Sequence, residues 1–345
     1  MKKQESVLNR NRLLIYFTYG LCALIWGTGW YAIRLSVSTG GYPVFGGAAV
    51  RYTLAAVILG MLVSFFPTTV GVISRRQIGW LSICGLMNAA GTALLYWGER
   101  SISGGLAAVL IATSPIMVAL LALVSRTERI TRGTILGFVV ALIGIGVIFS
   151  ERLTVSPSHL FAMLAMLGAA LFFALSSWLM KIKANDVKPL VSSTLFFFSM
   201  SVFCWLACPC ESAAIPWPPP AVPTYALLYL SIACSVLAFP AYVFLLRNAS
   251  LMIASSLAFV HPVIALLTDC MLERNFALTC SAYIGIFGVL FGVVLSMMAS
   301  NRSTLIANRK TADSLEQTKS GSEDAEPIAE ASIYAFQRNP MLNYE

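Results

Sequence analysis

The stretches RSISGGLAAVLIATSPIMVALL (100–121) and RNASLMIASSLAFVHPVIALLT (247–268) are one pattern written twice. At a shift of 147, Arg100 meets Arg247, Ser103 meets Ser250, Ala107 meets Ala254, Leu110 meets Leu257, Pro115 meets Pro262 and Leu120 meets Leu267. Alanine and leucine coincide often by chance in apolar sequence, so the arginine and the proline carry the match. Nearby offsets extend it. Arg34 meets Lys181, Pro43 meets Pro189, ERIT (128–131) is echoed by ERNFALT (273–279), and Gly137 and Gly144 meet Gly285 and Gly292.

The composition explains what is being repeated. The chain is 58% hydrophobic and 11% charged, with a mean hydropathy of +0.79, whereas soluble proteins carry about 25% charged residues. Of its fifteen acids, seven lie in the last 45 residues and Glu5 precedes the first apolar run, which leaves seven for residues 14–299. A water-soluble enzyme is excluded. The net charge of +8 comes from basic residues in short connections, not from a nucleic-acid footprint.

Cutting at the polar breaks yields ten apolar runs: 14–34, 44–65, 77–97, 103–124, 133–150, 159–180, 190–208, 222–245, 253–273 and 278–299. Each is near the roughly 20 residues that a helical crossing needs. The fold expected is an all-α membrane protein of ten transmembrane helices. Residues 14–150 form the first five-helix repeat, 159–299 the second, and 300–345 a disordered cytoplasmic tail, since that stretch is polar and lacks apolar periodicity. Five crossings is an odd number, so the second repeat runs through the membrane in the opposite sense. Inverted repeats of this kind recur in secondary transporters.

Lys and Arg orient the chain. With a cytoplasmic N-terminus, thirteen basic residues fall inside before the tail is counted, against four outside: Arg34, Arg100, Arg152 and Arg274. Both termini are therefore expected in the cytoplasm. The first run starts after basic residues and precedes SVS (36–38), but it exceeds the 7–15 residues of a signal-peptide core and reads as a retained helix. The eight cysteines show no metal-ligand spacing, and no metal or cofactor is expected.

A proline inside a helix removes a backbone hydrogen bond, and at membrane depth the freed carbonyl needs protein or cavity water. Pro115 and Pro262 therefore suggest paired broken helices at mid-membrane, with Thr113 and Ser114 beside one break and His261 beside the other. Arg51, seven residues into the second run, is an expensive charge at such depth. It either pairs with Glu99, binds a substrate carboxylate, or reaches the outer headgroups. His261 is either a neutral hydrogen-bonding group or a proton-coupling site. Trp26 and Tyr96 fall nearer the bundle interior, whereas Trp30, Tyr31 and Trp97 fit an interfacial belt. Asp269 and Glu273, four apart, face an outer vestibule or the interface. Small residues in SGGLAA (103–108) and at Gly288 and Gly292 mark close helix contacts.

The segments IWGTGWYAIR (25–34), PVFGGAAVRYTLAAVIL (43–59), YWGERSISGGLAAVLIATSPIMVALLA (96–122), ERITRGTILGFVVALIGIGVI (128–148) and YVFLLRNASLMIASSLAFVHPVIALL (242–267) together resemble the EamA-type drug/metabolite transporter family. The likeness spans residues 14–299. It implies a ten-helix inner-membrane carrier with a central cavity and cytoplasmic termini, often an exporter of amino acids or other metabolites. Two departures stand out: FVHP places a histidine before the second proline, and LERN (272–275) replaces the GE expected after the ninth span.

The function expected is a secondary transporter, most simply an exporter, of small organic metabolites by alternating access. Its pathway is assigned to Trp26, Arg51, Tyr96, Glu99, Thr113, Ser114, Pro115, Tyr242, His261 and Pro262. The partners expected are a small-molecule substrate, the bilayer of a bacterial plasma membrane and, through His261, protons; no nucleic acid is expected. No GxxxxGK[ST] loop is present to drive transport with ATP. An intramembrane enzyme would need paired reactive groups, and His261 and Asp269 stand about 80° apart around their helix. A sensor or assembly partner acting through the tail, and a nucleotide-sugar-type carrier, remain as alternatives.

Overall fold

A computed structural model describes residues 2–38, 40–66, 73–99, 101–102, 104–128, 130–150, 159–211, 213–272 and 279–321. Among them all regular structure is helical. The order is α1 (Lys2–Ser36), α2 (Val44–Phe65), α3 (Arg75–Glu99), α4 (Gly104–Ile111), α5 (Ser114–Val124), α6 (Arg132–Ile148), α7 (Leu160–Lys183), α8 (Pro189–Ala207), α9 (Ala221–Tyr229), α10 (Ala238–Asn248), α11 (Leu251–Ser255), α12 (Leu257–Leu272) and α13 (Cys280–Gly321). A π-helical segment, Leu230–Leu237, joins α9 to α10.

Among the described residues nine segments are long and apolar enough to cross a membrane. The expected fifth run is the exception. It forms α6, with 17 residues, about 25 Å of rise, at the short limit for a crossing. It packs along α13. There Gly292, expected at a close contact, meets glycines read in the sequence only as repeat matches: a Cβ at Gly137 would lie 2.5 Å from the Gly292 carbonyl oxygen, and one at Gly144 would lie 2.8 Å from that of Gly285. With no hydrophobic drive between helices in lipid, such close backbone approach supplies the packing attraction.

Side-chain size is distributed accordingly. The bundle interior is rich in small residues, among them Ala49, Ala55, Ala141, Ala169, Ala170, Ser192, Ser193 and Ser231, all fully or almost fully buried. Large apolar side chains such as Phe65, Phe161 and Phe287 are more than 70% exposed. That is the arrangement lipid rewards, and water would not tolerate it.

Beyond α6 and α13, the main pairings are α3 with α7, α2 with α8, α1 with α12, and α3 with α8. Glu211, after α8, takes the Phe45 and Gly46 amides at 2.7 and 3.1 Å. It caps α2, whose N-cap Pro43 has no capping side chain, and places a negative charge at the positive helix end.

The two proline-bearing spans differ from the expectation of matched breaks. The fourth is interrupted at Ala112–Thr113, immediately before Ser114 and Pro115 open α5. In the ninth, α12 runs through Pro262, and the break falls at Ser256, six residues earlier. The local cause is the serine pair. Ser255 and Ser256 donate their hydroxyls to the Met252 and Ile253 carbonyls at 3.1 and 2.8 Å, offering the backbone an alternative to the helical ladder. The π segment in the eighth span has no counterpart in the sequence expectation. Finally, α13 continues to Gly321, past the expected span end at 299; residues 322–345 lie outside the described residues.

Candidate functional site

Polar and aromatic positions from several helices surround a central cavity of about 730 Å³, within the roughly 300–1,000 Å³ typical of small-molecule sites. Its wall takes the second half of α1, the first turns of α2, the second half of α3, and α12 up to Asp269. The cavity thus occupies the half of the bundle remote from the start of α1. It reaches the end where Arg34, half-exposed, forms an ion pair with Asp269.

Trp26 is the hub of the wall. Its ring meets His261 edge-on at a centroid distance of 5.4 Å and lies 5.1 Å from Tyr242, and its Nε1 donates to the Cys234 carbonyl at 3.0 Å. Gly27 beside it brings α1 close to α12, since a Cβ there would come within 2.4 Å of Ile264. The WG of the first span therefore pairs a cavity aromatic with a close helix contact.

Arg51 also lines the cavity. Its Nε donates to Ser235 Oγ at 3.2 Å, and its Cζ lies 5.1 Å from the Tyr52 ring centroid. Cys234 and Ser235 both belong to the π segment, and Ser235 Oγ donates five residues back to Leu230 O at 3.1 Å. The irregular turn thus orients both Trp26 and Arg51, a common use of π segments at functional sites.

Tyr96, Ser114, Tyr242, His261 and Pro262, all named in the sequence assignment, line the same cavity. Tyr96 also borders a second, apolar hollow of about 460 Å³ with Phe45, Trp97, Phe172 and Phe203. His261 Nε2 is buried and has no hydrogen-bond partner among the described residues. Thr113 turns its hydroxyl back to Leu110 O at 2.6 Å, and Pro115 is buried in the packing of α5. Glu99 closes α3, but its side chain lies outside the described residues, as do Ser103 and Glu273. Trp30, expected at the interface, is part of the cavity wall.

Several wall residues were missed in the sequence. Asn88, Thr92 and Leu95 follow helical spacing along α3, and the two polar members inside an apolar span were the available signal. Phe173, Phe196, Phe197 and Phe239 carry no such mark. The last three rings pack together, Phe196 against Phe239 at 4.3 Å and Phe197 against Phe239 at 4.8 Å.

The end that holds the start of α1 is closed. The Tyr19 and Ser256 hydroxyls stand 3.0 Å apart, so the α12 break receives α1. The Tyr242 hydroxyl donates to Ser177 Oγ at 2.9 Å. Below them the turn between α10 and α11 is held from three sides. Lys181 Nζ donates to the Leu246 carbonyl and, at 2.9 Å, to that of Ala249. Glu128 accepts the Leu251 amide at 2.7 Å, and Ser250 Oγ meets Ser300 Oγ at 2.8 Å. Burial pushes the Glu128 carboxyl above its ordinary range, opposed by Lys181 and by the Leu251 and Met252 amides. Among the described residues no group of three or more His, Cys, Asp or Glu could hold a metal ion.

Comparisons with known proteins agree with this architecture. Residues 13–150 and 160–298 each match the model of the EamA-like transporter family. Protein PagO of Salmonella typhimurium is 25% identical over 304 residues, covering 84% of this chain and 95% of PagO. YetK of Bacillus subtilis, described as a transporter, is 22% identical over 86% of this chain and 91% of its own length. A protein of Streptantibioticus cattleyicolor named "Probable terminal-alkyne amino-acid exporter" is 35% identical, but over only 37% of this chain and 42% of that protein. One solved protein structure superposes with a TM-score of 0.70 at 17% identity, covering 84% of this chain and 98% of that one; this is a likeness of fold. The family is one of transporters, and two of the three relatives carry transport in their names; none is named as an enzyme.

Proposed function

Because the chain belongs to the EamA-like transporter family, we propose that it is a secondary carrier that exports small organic metabolites such as amino acids by alternating access. Residues 14–150 and 159–299 are the two five-helix repeats, α6 and α13 supply the fifth and tenth crossings, and the second repeat is inverted relative to the first. The observation that carries this reading is a reciprocal contact. Gly137 packs on Gly292 and Gly144 on Gly285, and a shift of 148 turns Gly137 into Gly285 and Gly144 into Gly292. The repeat thus maps one contact onto the other, as a two-fold axis between α6 and α13 requires.

The central cavity supports the mechanism. It reaches one end of the bundle and is closed at the other by Tyr19–Ser256, Tyr242–Ser177 and the Lys181–Glu128 turn lock. With both termini in the cytoplasm, following the basic-residue bias, this is an outward-open carrier in a bacterial plasma membrane. Exchange of the two repeats' conformations would open the Lys181 end and close the Arg34 end. His261, whose Nε2 has no hydrogen-bond partner among the described residues and whose ring meets Trp26, is the residue for proton coupling, and residues 300–345 are a cytoplasmic tail.

The test is metabolite export from cells with and without the gene, followed by counterflow of the best hit in proteoliposomes. A carrier should exchange labelled for unlabelled substrate. Failure of every exported candidate to do so would refute the reading.

A further inference from the structure

Among the described residues, the charged groups in the cavity wall are Arg34, Arg51 and Asp269. Arg34 and Asp269 are paired with each other, so the aspartate is already neutralised. Arg51 is different. Its described partners are the neutral Ser235 hydroxyl, reached through Nε alone, and the Tyr52 ring. A guanidinium has five N–H donors and no acceptor, so four donors remain without a protein partner among the described residues. Keeping a cation at that depth in an apolar wall is costly unless an anion enters with it.

The rest of the wall defines the body of that anion. Trp26, Phe173, Phe197, Phe239 and Tyr242 surround the same cavity and offer flat apolar faces. The polar groups of α3, Asn88 and Thr92, add neutral hydrogen-bonding capacity but no charge. An ammonium finds no free carboxylate among the described wall residues.

We propose that the cavity selects organic carboxylates: the carboxylate binds the fork of Arg51, a flat apolar body lies among the aromatic rings, and a ligand amine is not read. Ser235 acts as a positioning residue, fixing Nε so that the outer edge of the guanidinium faces the anion. This rests on the carrier reading only in calling the ligand a substrate. Amino acids then qualify through their carboxylate, alongside acids that have no amine.

Four ligands with one ring separate the possibilities: 3-phenylpropionate, phenylalanine, 3-phenylpropanol and 2-phenylethylamine, titrated calorimetrically into the full-length protein in nanodiscs. The two carboxylates should bind within about threefold of each other, and roughly ten- to a hundredfold more tightly than the alcohol or the amine, as a charge-assisted hydrogen bond allows. Arg51→Gln should bring 3-phenylpropionate to the level of the alcohol while leaving the alcohol itself unchanged. Arg51→Lys and Ser235→Ala should give intermediate losses, and both guard against a fold defect in the glutamine variant.

Equal binding of the amine, retention of the preference in Arg51→Gln, phenylalanine binding far more tightly than 3-phenylpropionate, or no binding by any of the four would each overturn the proposal. Selective binding without counterflow would refute the carrier reading and leave the anion site standing. Counterflow indifferent to ligand charge would refute the anion site and leave the carrier.

Discussion

Gly137 and Gly292 touch through their backbones: a Cβ on either would stand 2.5 Å from the other's carbonyl oxygen. Neither backbone can give way without parting α6 from α13. Gly137→Ala should therefore destabilise the protein by about 1–3 kcal/mol, the usual cost of overpacking. Gly146, on the same helix, would place its Cβ in open space, so Gly146→Ala should be neutral or gain up to ~1 kcal/mol from helix propensity. Thermal unfolding in detergent compares the two. Equal shifts would show that the α6–α13 seam is not tight.

Trp26 holds three contacts at once, with Cys234 O, His261 and Tyr242. Trp26→Phe keeps an aromatic body but removes the indole donor and its bond to the Cys234 carbonyl, along with the indole edge against His261. Transport of the best substrate should fall at least about tenfold with expression unchanged. Wild-type flux would remove Trp26 from the pathway.

The closed end depends on hydroxyl pairs that are weak singly. Tyr19→Phe loses the bond to Ser256, about 1 kcal/mol. That is enough to shift a two-state equilibrium roughly fivefold toward opening of this end. In protein whose eight native cysteines are replaced by alanine, reactivity of a cysteine introduced at Ala258, in the cavity wall, should rise toward reagent added at the termini's face. Unchanged reactivity would show that α1 does not help to hold the floor.

Glu128 links the floor to pH. Its carboxyl is raised above 4.5 chiefly by burial, so the folded protein holds this proton more tightly than the unfolded chain. Its contribution to stability is therefore complete below pH 4.5 and lost as pH rises through the folded value. Glu128→Gln keeps an acceptor for Leu251 N–H and should remove that fall. The check is the unfolding temperature of both proteins between about pH 4 and 8. The same pH slope in both would assign it elsewhere.

Much of the molecule was legible because membrane helices must be continuous apolar runs. The boundaries of α2, α7 and α8 lie within a few residues of the expected runs, and the glycines that mark α6 against α13 were visible as a repeat. Trp26, Arg51, Tyr96 and His261, all in the cavity wall, stood out because aromatic, charged or titratable residues in such runs are few. Local backbone competition escaped detection. The two serines at 255–256 rather than Pro262 break the ninth span, and the π segment that orients Arg51 has no residue signature. Cavity phenylalanines look the same as lipid-facing ones, so Phe197 and Phe239 could be told from Phe161 only by their neighbours in space.

The most direct test of the two-sided pathway is labelling of a single cysteine, Ala258→Cys in protein whose eight native cysteines are replaced by alanine, in sealed vesicles, with membrane-impermeant maleimide supplied to one face at a time. The cavity residue should react from both faces of folded protein, with transport substrate protecting it on each. Reaction from one face alone, with and without substrate, would contradict alternating access.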